Sequence, residues 1–191
     1  SAPPSLLLST PVDEGAWSWA PDGASGVFVS WSPVSGRDLW LAKGSGGDPH
    51  PLLASARSES DPAISPDGNW LAYVSDQALY VSSYPSPGER VLVARDASSP
   101  RWSRATREIF FVGAGHLRAV GWRTQGTRFE IGADRTLFEL GRLRRDYEVA
   151  PDGQRFLFLS PTAEDWGRDV IRVTTRGFDG LRAEAAAESD R

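Results

Sequence analysis

Residues 61–96 read DPAISPDGNWLAYVSDQALYVSSYPSPGERVLVARD and hold one complete copy of a unit that the chain repeats. Apolar and β-branched residues form four short runs separated by Gly, Pro, Asp and Ser, which is the pattern of strands joined by tight turns. In the turn at 66–68, proline presets the backbone, Asp67 can bond its own local amides, and Gly68 accepts a positive φ. The stretch therefore predicts a four-stranded antiparallel meander with strands at 62–65, 70–75, 78–84 and 90–94.

The same turn occurs three times, as APDG at 20–23, SPDG at 65–68 and APDG at 150–153. A degenerate copy, SRAT, which lacks both the proline and the glycine, stands at 103–106. The predicted structural residues of these turns are Asp22, Gly23, Asp67, Gly68, Asp152 and Gly153. A period near forty residues with four strands in each repeat is typical of a β-propeller. We predict an all-β propeller of four four-stranded antiparallel blades, forming one domain over 1–191. The predicted blades are at about 14–55, 59–96, 99–140 and 146–175.

The last repeat lacks a fourth strand, and a spare strand, residues 5–10, precedes the first repeat. We predict that this segment closes the last blade, because an unpaired edge strand invites aggregation. The predicted contacts join Leu6, Leu7 and Leu8 to Val170, Ile171 and Val173. Closure within one chain gives a four-bladed ring, and closure between two chains gives an eight-bladed homodimer, which is slightly favoured because such compact blades suit a wider ring. Beyond these strands, the Ala- and Glu-rich segment 178–188 predicts a short C-terminal helix.

Composition limits the class of protein. The 191 residues are 40% hydrophobic and 24% charged, as in ordinary globular proteins. No run reaches the roughly 18 apolar residues of a membrane-spanning helix. The absence of cysteine excludes disulfides, thiol nucleophiles and cysteine metal sites.

The net charge of −4 argues against nucleic acid as a partner, although 101–145 is rich in Arg. Methionine is also absent, so we expect that further sequence precedes Ser1 in the native protein.

The sequence offers no recognisable catalytic or metal-binding set. The two histidines, His50 and His116, stand beside turns, and the nucleophile motif G-x-S-x-G does not occur. The Asp of each repeated turn supplies one carboxylate per blade, whereas a calcium cage needs clustered acids. We therefore predict no catalytic residue, no metal site and no cofactor, and a protein that is not an enzyme.

A partner-binding rim is predicted where loops gather at one face. In a propeller, the connections between second and third strands share a face with those leading into each first strand, and loops on a rigid scaffold commonly bind partners. The residues predicted at this rim are Asp61, Arg144, Arg145 and Trp166. Trp and Arg are frequent hot-spot residues, so the predicted partner is a protein or peptide, or a second copy of the chain. A merely solvated loop surface is the alternative.

The repeated pattern, an apolar residue followed by x-[S/A]-P-D-G and a bulky strand, resembles the TolB-like β-propeller repeat over about 11–175. The segments 99–103 and 146–156, and a predicted terminal strand and helix at 170–181, also resemble the last blades of bacterial propellers attached to Ser/Thr protein kinase or DNA-binding regulator domains. The resemblance implies a non-catalytic sensor or scaffold module and supplies no shared catalytic residues. A bacterial extracytoplasmic location is slightly favoured over a cytoplasmic one.

Two other functions remain open from the sequence. The chain could be the propeller part of a larger hydrolase or lyase whose catalytic residues are elsewhere, or a self-assembling structural unit whose main partner is itself. Fold alone does not choose among these functions.

Overall fold

Antiparallel β-strands make up the regular structure in the computed structural model, which describes residues 14–141, 146–159 and 171–173. The strands are β1 (Glu14–Trp19), β2 (Ser25–Ser32), β3 (Gly36–Lys43), β4 (His50–Leu53), β5 (Glu59–Ile64), β6 (Trp70–Ser75), β7 (Ala78–Ser83), β8 (Val91–Ala94), β9 (Ala97–Trp102), β10 (Glu108–Gly113), β11 (His116–Gln125), β12 (Arg128–Glu139), β13 (Tyr147–Val149), β14 (Phe156–Leu159) and β15 (Ile171–Val173). No helix occurs in the described residues. The prediction of an all-β fold is confirmed.

These strands form four meanders. The sheet orders are β1-β2-β3-β4, β5-β6-β7-β8, β12-β11-β10-β9 and β13-β14-β15. The last sheet has three strands in the described residues, and β14 pairs with β13 on one side and β15 on the other. The predicted closing strand 5–10, Val170 and the predicted helix 178–188 lie outside the described residues. Ring closure therefore stays a prediction, as does the single-domain organisation.

The repeated turns close the first hairpin of three sheets. Their glycines are left-handed, with φ of 69° at Gly23, 72° at Gly68 and 70° at Gly153. Each glycine N–H donates to the carbonyl three residues earlier, at 2.8 to 2.9 Å. The Asp Oδ1 of each turn accepts the N–H two residues later, at 2.9 to 3.1 Å. In the degenerate copy at 103–106, the Ser103 hydroxyl accepts the Thr106 N–H at 2.9 Å, so a side chain again bonds the backbone of the turn.

The chain divides into two compact units, Ser1–Arg95 and Asp96–Arg191, and each has its own core. In the first unit, β5 packs against β1, β2 and β3. Its core is aliphatic with two tyrosines: Val27, Val29, Leu39, Leu41, Ile64, Leu71, Tyr73 and Tyr84. The second unit has a more aromatic core, in which Phe110 meets Phe156 edge-on at 5.0 Å between ring centroids. The remaining aromatic members are Phe138, Tyr147 and Phe158.

The first strands of three sheets carry a register shift near the same place. The shifts lie between Gly15 and Trp17 in β1, between Ser60 and Ala63 in β5, and in β9 opposite 110–112. In β5 and β9 the shift includes a left-handed residue that precedes proline, Asp61 with φ 51° and Ser99 with φ 52°. Such bulges bend a strand and redirect its side chains. The repeat is thus preserved in backbone conformation as well as in turn sequence.

Two predicted strands are corrected. The first strand of the second repeat, predicted at 62–65, is β5, which begins at Glu59 and ends at Ile64. The sequence pattern predicts the fourth strand of the third repeat at 136–140, but β12 begins at Arg128 and ends at Glu139. β11 is correspondingly long and ends at Gln125. The two strands form an extended, largely polar hairpin, which a pattern of apolar runs does not predict.

Candidate partner-binding site

Two turns and a connecting segment lie at one end of the first unit, which we call the hairpin end. It comprises the β2–β3 turn around 32–36, the segment 55–58 that leads into β5, and the β6–β7 turn at Asp76 and Gln77. The segment and the second turn are joined by a backbone hydrogen bond, since the Asp76 N–H donates to the Ser58 carbonyl at 3.2 Å. In the neighbouring sheet, β3 follows the first turn and packs against β5, and the charge of Asp38 in β3 acts on the carboxyl of Glu59 in β5.

Exposed apolar side chains stand on the β2–β3 turn. Trp31 is 53% exposed and Val34 is 95% exposed. The turn that presents them is internally bonded, because the Ser32 hydroxyl oxygen accepts the N–H groups of Val34 and Ser35, both at 3.3 Å. A large indole held in solvent by an ordered turn is suited to packing against a partner.

Charged side chains also lie at the hairpin end. Arg57 pairs with Asp76 at 3.0 Å, with both side chains about half exposed. The Ser58 N–H also donates to Asp76 Oδ1 at 3.3 Å, so the ion pair is fixed to the backbone of the segment leading into β5. Arg37, exposed, lies opposite Trp31 across the β2–β3 ladder. The hairpin end therefore combines an apolar tip with charges of both signs.

Two acidic residues are buried below this surface. Asp38 in β3 is 4% exposed and Glu59 at the start of β5 is 3% exposed. Burial raises the pKa of the Glu59 carboxyl; hydrogen bonds from the Ser55 and Ser75 hydroxyls oppose the shift, and the negative charges of Asp38 and Asp76 add to it. Aromatic rings lie near Glu59 too, since its charge contributes to the raised pKa of Tyr73, for which burial is the largest cause.

The predicted rim residues are only partly placed. Asp61 lies in the bulge of β5, two residues from Glu59, at the hairpin end of the strand. Arg144, Arg145 and Trp166 lie outside the described residues, so the predicted rim of four remains a prediction. Of the residues predicted to close the ring, Ile171 lies opposite Leu159 and Val173 opposite Leu157. Leu6, Leu7, Leu8 and Val170 lie outside the described residues.

Sequence reasoning missed Trp31, Val34, Asp38 and Glu59 as members of one site. A signal existed for the first two, because 31–36 reads WSPVSG and places apolar residues on both sides of a Ser-Pro turn. Single acids in otherwise apolar strands give almost no signal. Their proximity follows from the packing of β5 against β3, which the sequence pattern does not contain.

His116 Nδ1 lies 2.8 Å from the Ala114 carbonyl, so its ring is engaged by the neighbouring turn. No group of three or more His, Cys, Asp and Glu side chains in the described ranges is placed to hold a metal ion. No helix in the part of the chain that the structure describes has the length and hydropathy to cross a membrane.

Solved structures share this arrangement of meanders. TolB from Acinetobacter baumannii is similar with a TM-score of 0.66 and 16% identity, over 90% of this chain and 43% of that one. The chain has a TolB-like β-propeller fold. Putative TolB from Agrobacterium tumefaciens has a TM-score of 0.56 and 20% identity, over 79% of this chain and 55% of that chain. An oligogalacturonate lyase in complex with manganese has a TM-score of 0.55 and 16% identity, over 85% and 49%.

This chain spans about half the length of the solved structures that it matches. Those structures include TolB proteins and an enzyme, and similarity at such identities shows the fold alone. No protein-family model matches the chain, and no curated protein matches it.

Proposed function

We propose that this chain is a non-catalytic binding module that docks a protein or peptide at the hairpin end of its first unit. The observation that carries the proposal is the exposed apolar tip formed by Trp31 and Val34 on a turn that Ser32 holds in place. The Arg57–Asp76 ion pair at the hairpin end would supply polar groups at the edge of the contact. An aromatic anchor with a polar rim is the usual organisation of a protein-binding surface.

The fold supports the same proposal. Both turns and the segment 55–58 are attached to strands whose inner residues are fully buried, so the scaffold beneath the site is rigid. Loops on a rigid β scaffold are a common source of binding specificity. Because the anchor is already exposed and ordered, binding does not require the turn to fold first, which reduces the entropic cost of association.

The test begins with peptides selected from a displayed library on the whole chain. We expect the Trp31→Ala variant to bind the selected peptides about 30-fold more weakly, which corresponds to about 2 kcal/mol for the loss of an aromatic hot spot. Val34→Ser should weaken binding to a smaller extent. Isothermal titration calorimetry on the folded variants measures both effects.

Trp19 provides a matched control. It is 46% exposed, close to the exposure of Trp31, but it stands at the opposite end of the same sheet beside the 20–23 turn. Trp19→Ala should leave peptide affinity unchanged. Equal losses from Trp19→Ala and Trp31→Ala, or a library that yields no binder, would contradict the proposed site.

The propeller part of a larger hydrolase or lyase is a second candidate function. It is favoured by the similarity to the oligogalacturonate lyase structure, of whose chain this one covers 49%. Under this alternative, oligogalacturonate should raise the melting temperature of the chain in a saturable way. Under the binding-module proposal, oligogalacturonate leaves the melting temperature unchanged, whereas the selected peptides raise it.

A further inference from the structure

Asp38 and Glu59 each have one satisfied and one unsatisfied carboxylate oxygen. Asp38 Oδ2 accepts a hydrogen bond from the Ser35 hydroxyl at 2.6 Å, and Glu59 Oε1 accepts from the hydroxyls of Ser55 at 2.7 Å and Ser75 at 3.4 Å. The other oxygens, Asp38 Oδ1 and Glu59 Oε2, are fully buried and have no hydrogen-bond partner among the described residues. No arginine or lysine in the described ranges forms an ion pair with either carboxyl. Leaving such groups without a partner is energetically costly.

Protonation of Glu59 is an incomplete solution. A proton removes one negative charge and so relieves the repulsion between the carboxyls. A protonated Oε2 could donate to Asp38 Oδ1, but one shared proton still leaves the buried pair with a net charge of −1 that no arginine or lysine of the described residues offsets. A cation that contacts both oxygens satisfies the charges and the oxygens together.

We propose that Asp38 and Glu59 bind a calcium ion between β3 and β5 of the first unit. The serine hydroxyls of Ser35 and Ser55 would fix the orientation of the two carboxylates, which is the usual role of groups that contact metal ligands. Carboxylates and hydroxyls are hard oxygen ligands suited to Ca²⁺, Mg²⁺ and Mn²⁺. Calcium fits best, because it accepts one or both oxygens of a carboxylate in irregular geometry, whereas magnesium requires a near-octahedral arrangement of ligands.

The proposed ion joins two sheets. Asp38 belongs to the sheet β1–β4, and Glu59 belongs to the sheet β5–β8. Bound calcium would therefore stabilise the packing of β5 against β3 and hold the β2–β3 turn in a fixed position. This site is separate from the peptide contact at Trp31 and Val34, so the two proposals can fail independently.

The test uses the whole chain, stripped with EGTA and dialysed into chelator-free buffer. We expect CaCl₂ to raise the melting temperature by several degrees with one-to-one saturation, while MgCl₂ at the same concentration gives a much smaller rise. Terbium, a luminescent substitute for calcium, should bind the same site and be displaced by calcium, with emission sensitised by the nearby Tyr73. Isothermal titration calorimetry gives the stoichiometry.

Two isosteric variants distinguish the removal of a calcium ligand from a general loss of folding. Asp38→Asn and Glu59→Gln remove one charge each with little change in volume, so without calcium they should melt at or above the wild-type temperature because repulsion is relieved. Both should lose at least tenfold in calcium affinity. Asp48→Asn, which removes an exposed carboxyl of the same unit, should retain full calcium binding.

The proposal is overturned if calcium leaves the melting temperature and the terbium signal unchanged. It is also overturned if calcium and magnesium act equally, or if Asp38→Asn and Glu59→Gln respond to calcium as the wild type does, because these results indicate only charge screening. A wild-type stability that ignores calcium but falls as pH rises through the raised pKa of Glu59 would show that the pair holds a proton instead.

Discussion

Gly68 has the left-handed backbone that the turn at 65–68 requires, with φ of 72°. A Cβ at this position would meet no atom closer than 3.4 Å, the distance to Pro21 Cδ, so space does not limit substitution. The cost of a side chain comes from the backbone conformation, which a β-branched residue adopts with difficulty. We expect Gly68→Val to lower the free energy of unfolding by about 2 kcal/mol in urea titrations.

The degenerate turn at 103–106 provides the comparison for this prediction. Thr106, at the position equivalent to Gly68, is not among the residues with positive φ. Thr106→Val removes an exposed hydrogen bond to Glu108 of 2.9 Å and should cost less than about 1 kcal/mol. Similar losses from the two substitutions would show that the backbone of the turns is not what limits their sequence.

Asp67 makes the second turn sensitive to acid. Burial alone would raise the pKa of its carboxyl, but the Ser65 hydroxyl and the Asn69 amide donate hydrogen bonds that together hold the pKa below its usual value. A carboxyl with a depressed pKa contributes stability above its unfolded pKa, and the contribution is lost as pH falls through the folded pKa. We expect the free energy of unfolding of Asp67→Asn to fall less steeply than that of the wild type as pH decreases below about pH 4. Urea unfolding at a series of pH values measures this.

Asp48 is the control for the acid series, because it is exposed and makes no hydrogen bond or ion pair among the described residues. The free energy of unfolding of Asp48→Asn should depend on pH as that of the wild type does. If Asp67→Asn and the wild type lose stability in parallel on acidification, the turn carboxylate does not contribute to stability as proposed.

Asp61 and Ser99 show that the repeated element is a bulged strand as well as a turn. Both residues are left-handed at the same place in β5 and β9, and both precede proline. We expect Asp61→Val to cost about 1–3 kcal/mol, because a β-branched side chain is strained in this region. Asp61→Asn should cost much less, since asparagine tolerates the left-handed region. Thermal melting of the two variants tests the difference. Equal decreases in melting temperature would show that loss of the carboxylate, and not backbone strain, destabilises both variants.

The sequence predicted those elements whose formation depends on local patterns. The apolar run that follows Pro-Asp-Gly in the second repeat predicted a strand at 70–75, which is β6, because burial and turn formation both depend on neighbouring residues. The long β11–β12 hairpin was missed because its strands are polar. Cross-strand ion pairs support them instead: Arg123 faces Glu130 at 2.7 Å, and Arg118 pairs with Asp134 at 2.5 Å. Such pairs need a register to be known before they can be recognised.

The candidate site was less predictable than the fold. Trp31 was visible as an aromatic near a turn, but its exposure depends on how the sheet packs. Asp38 and Glu59 are 21 residues apart in sequence, and only the contact between β3 and β5 brings them together. A carboxylate pair of this kind becomes informative once burial and hydrogen bonding are known, because the same residues on a surface would be ordinary.

For the whole molecule, we propose that residues 5–10 supply the outer strand of the last blade, either of the same chain or of a second copy. The proposal is supported by the strand counts of the four sheets in the described residues, which are four, four, four and three. A ring built from two copies would have twofold symmetry, the commonest symmetry of soluble oligomers. Light scattering on a dilution series should then give the mass of two chains.

Removal of residues 1–10 tests the closing strand directly. If the strand completes the last blade of a second copy, its loss exposes two sheet edges per dimer, and the truncated chain should dissociate or aggregate, with a lower melting temperature. If closure is within one chain, the full-length protein is a monomer, and the truncated protein should still aggregate. Substitution of Leu7 by proline is the matched variant, because proline removes one ladder hydrogen bond and leaves the length unchanged. Truncated protein with the mass, solubility and melting temperature of the full chain would mean that these residues close no sheet.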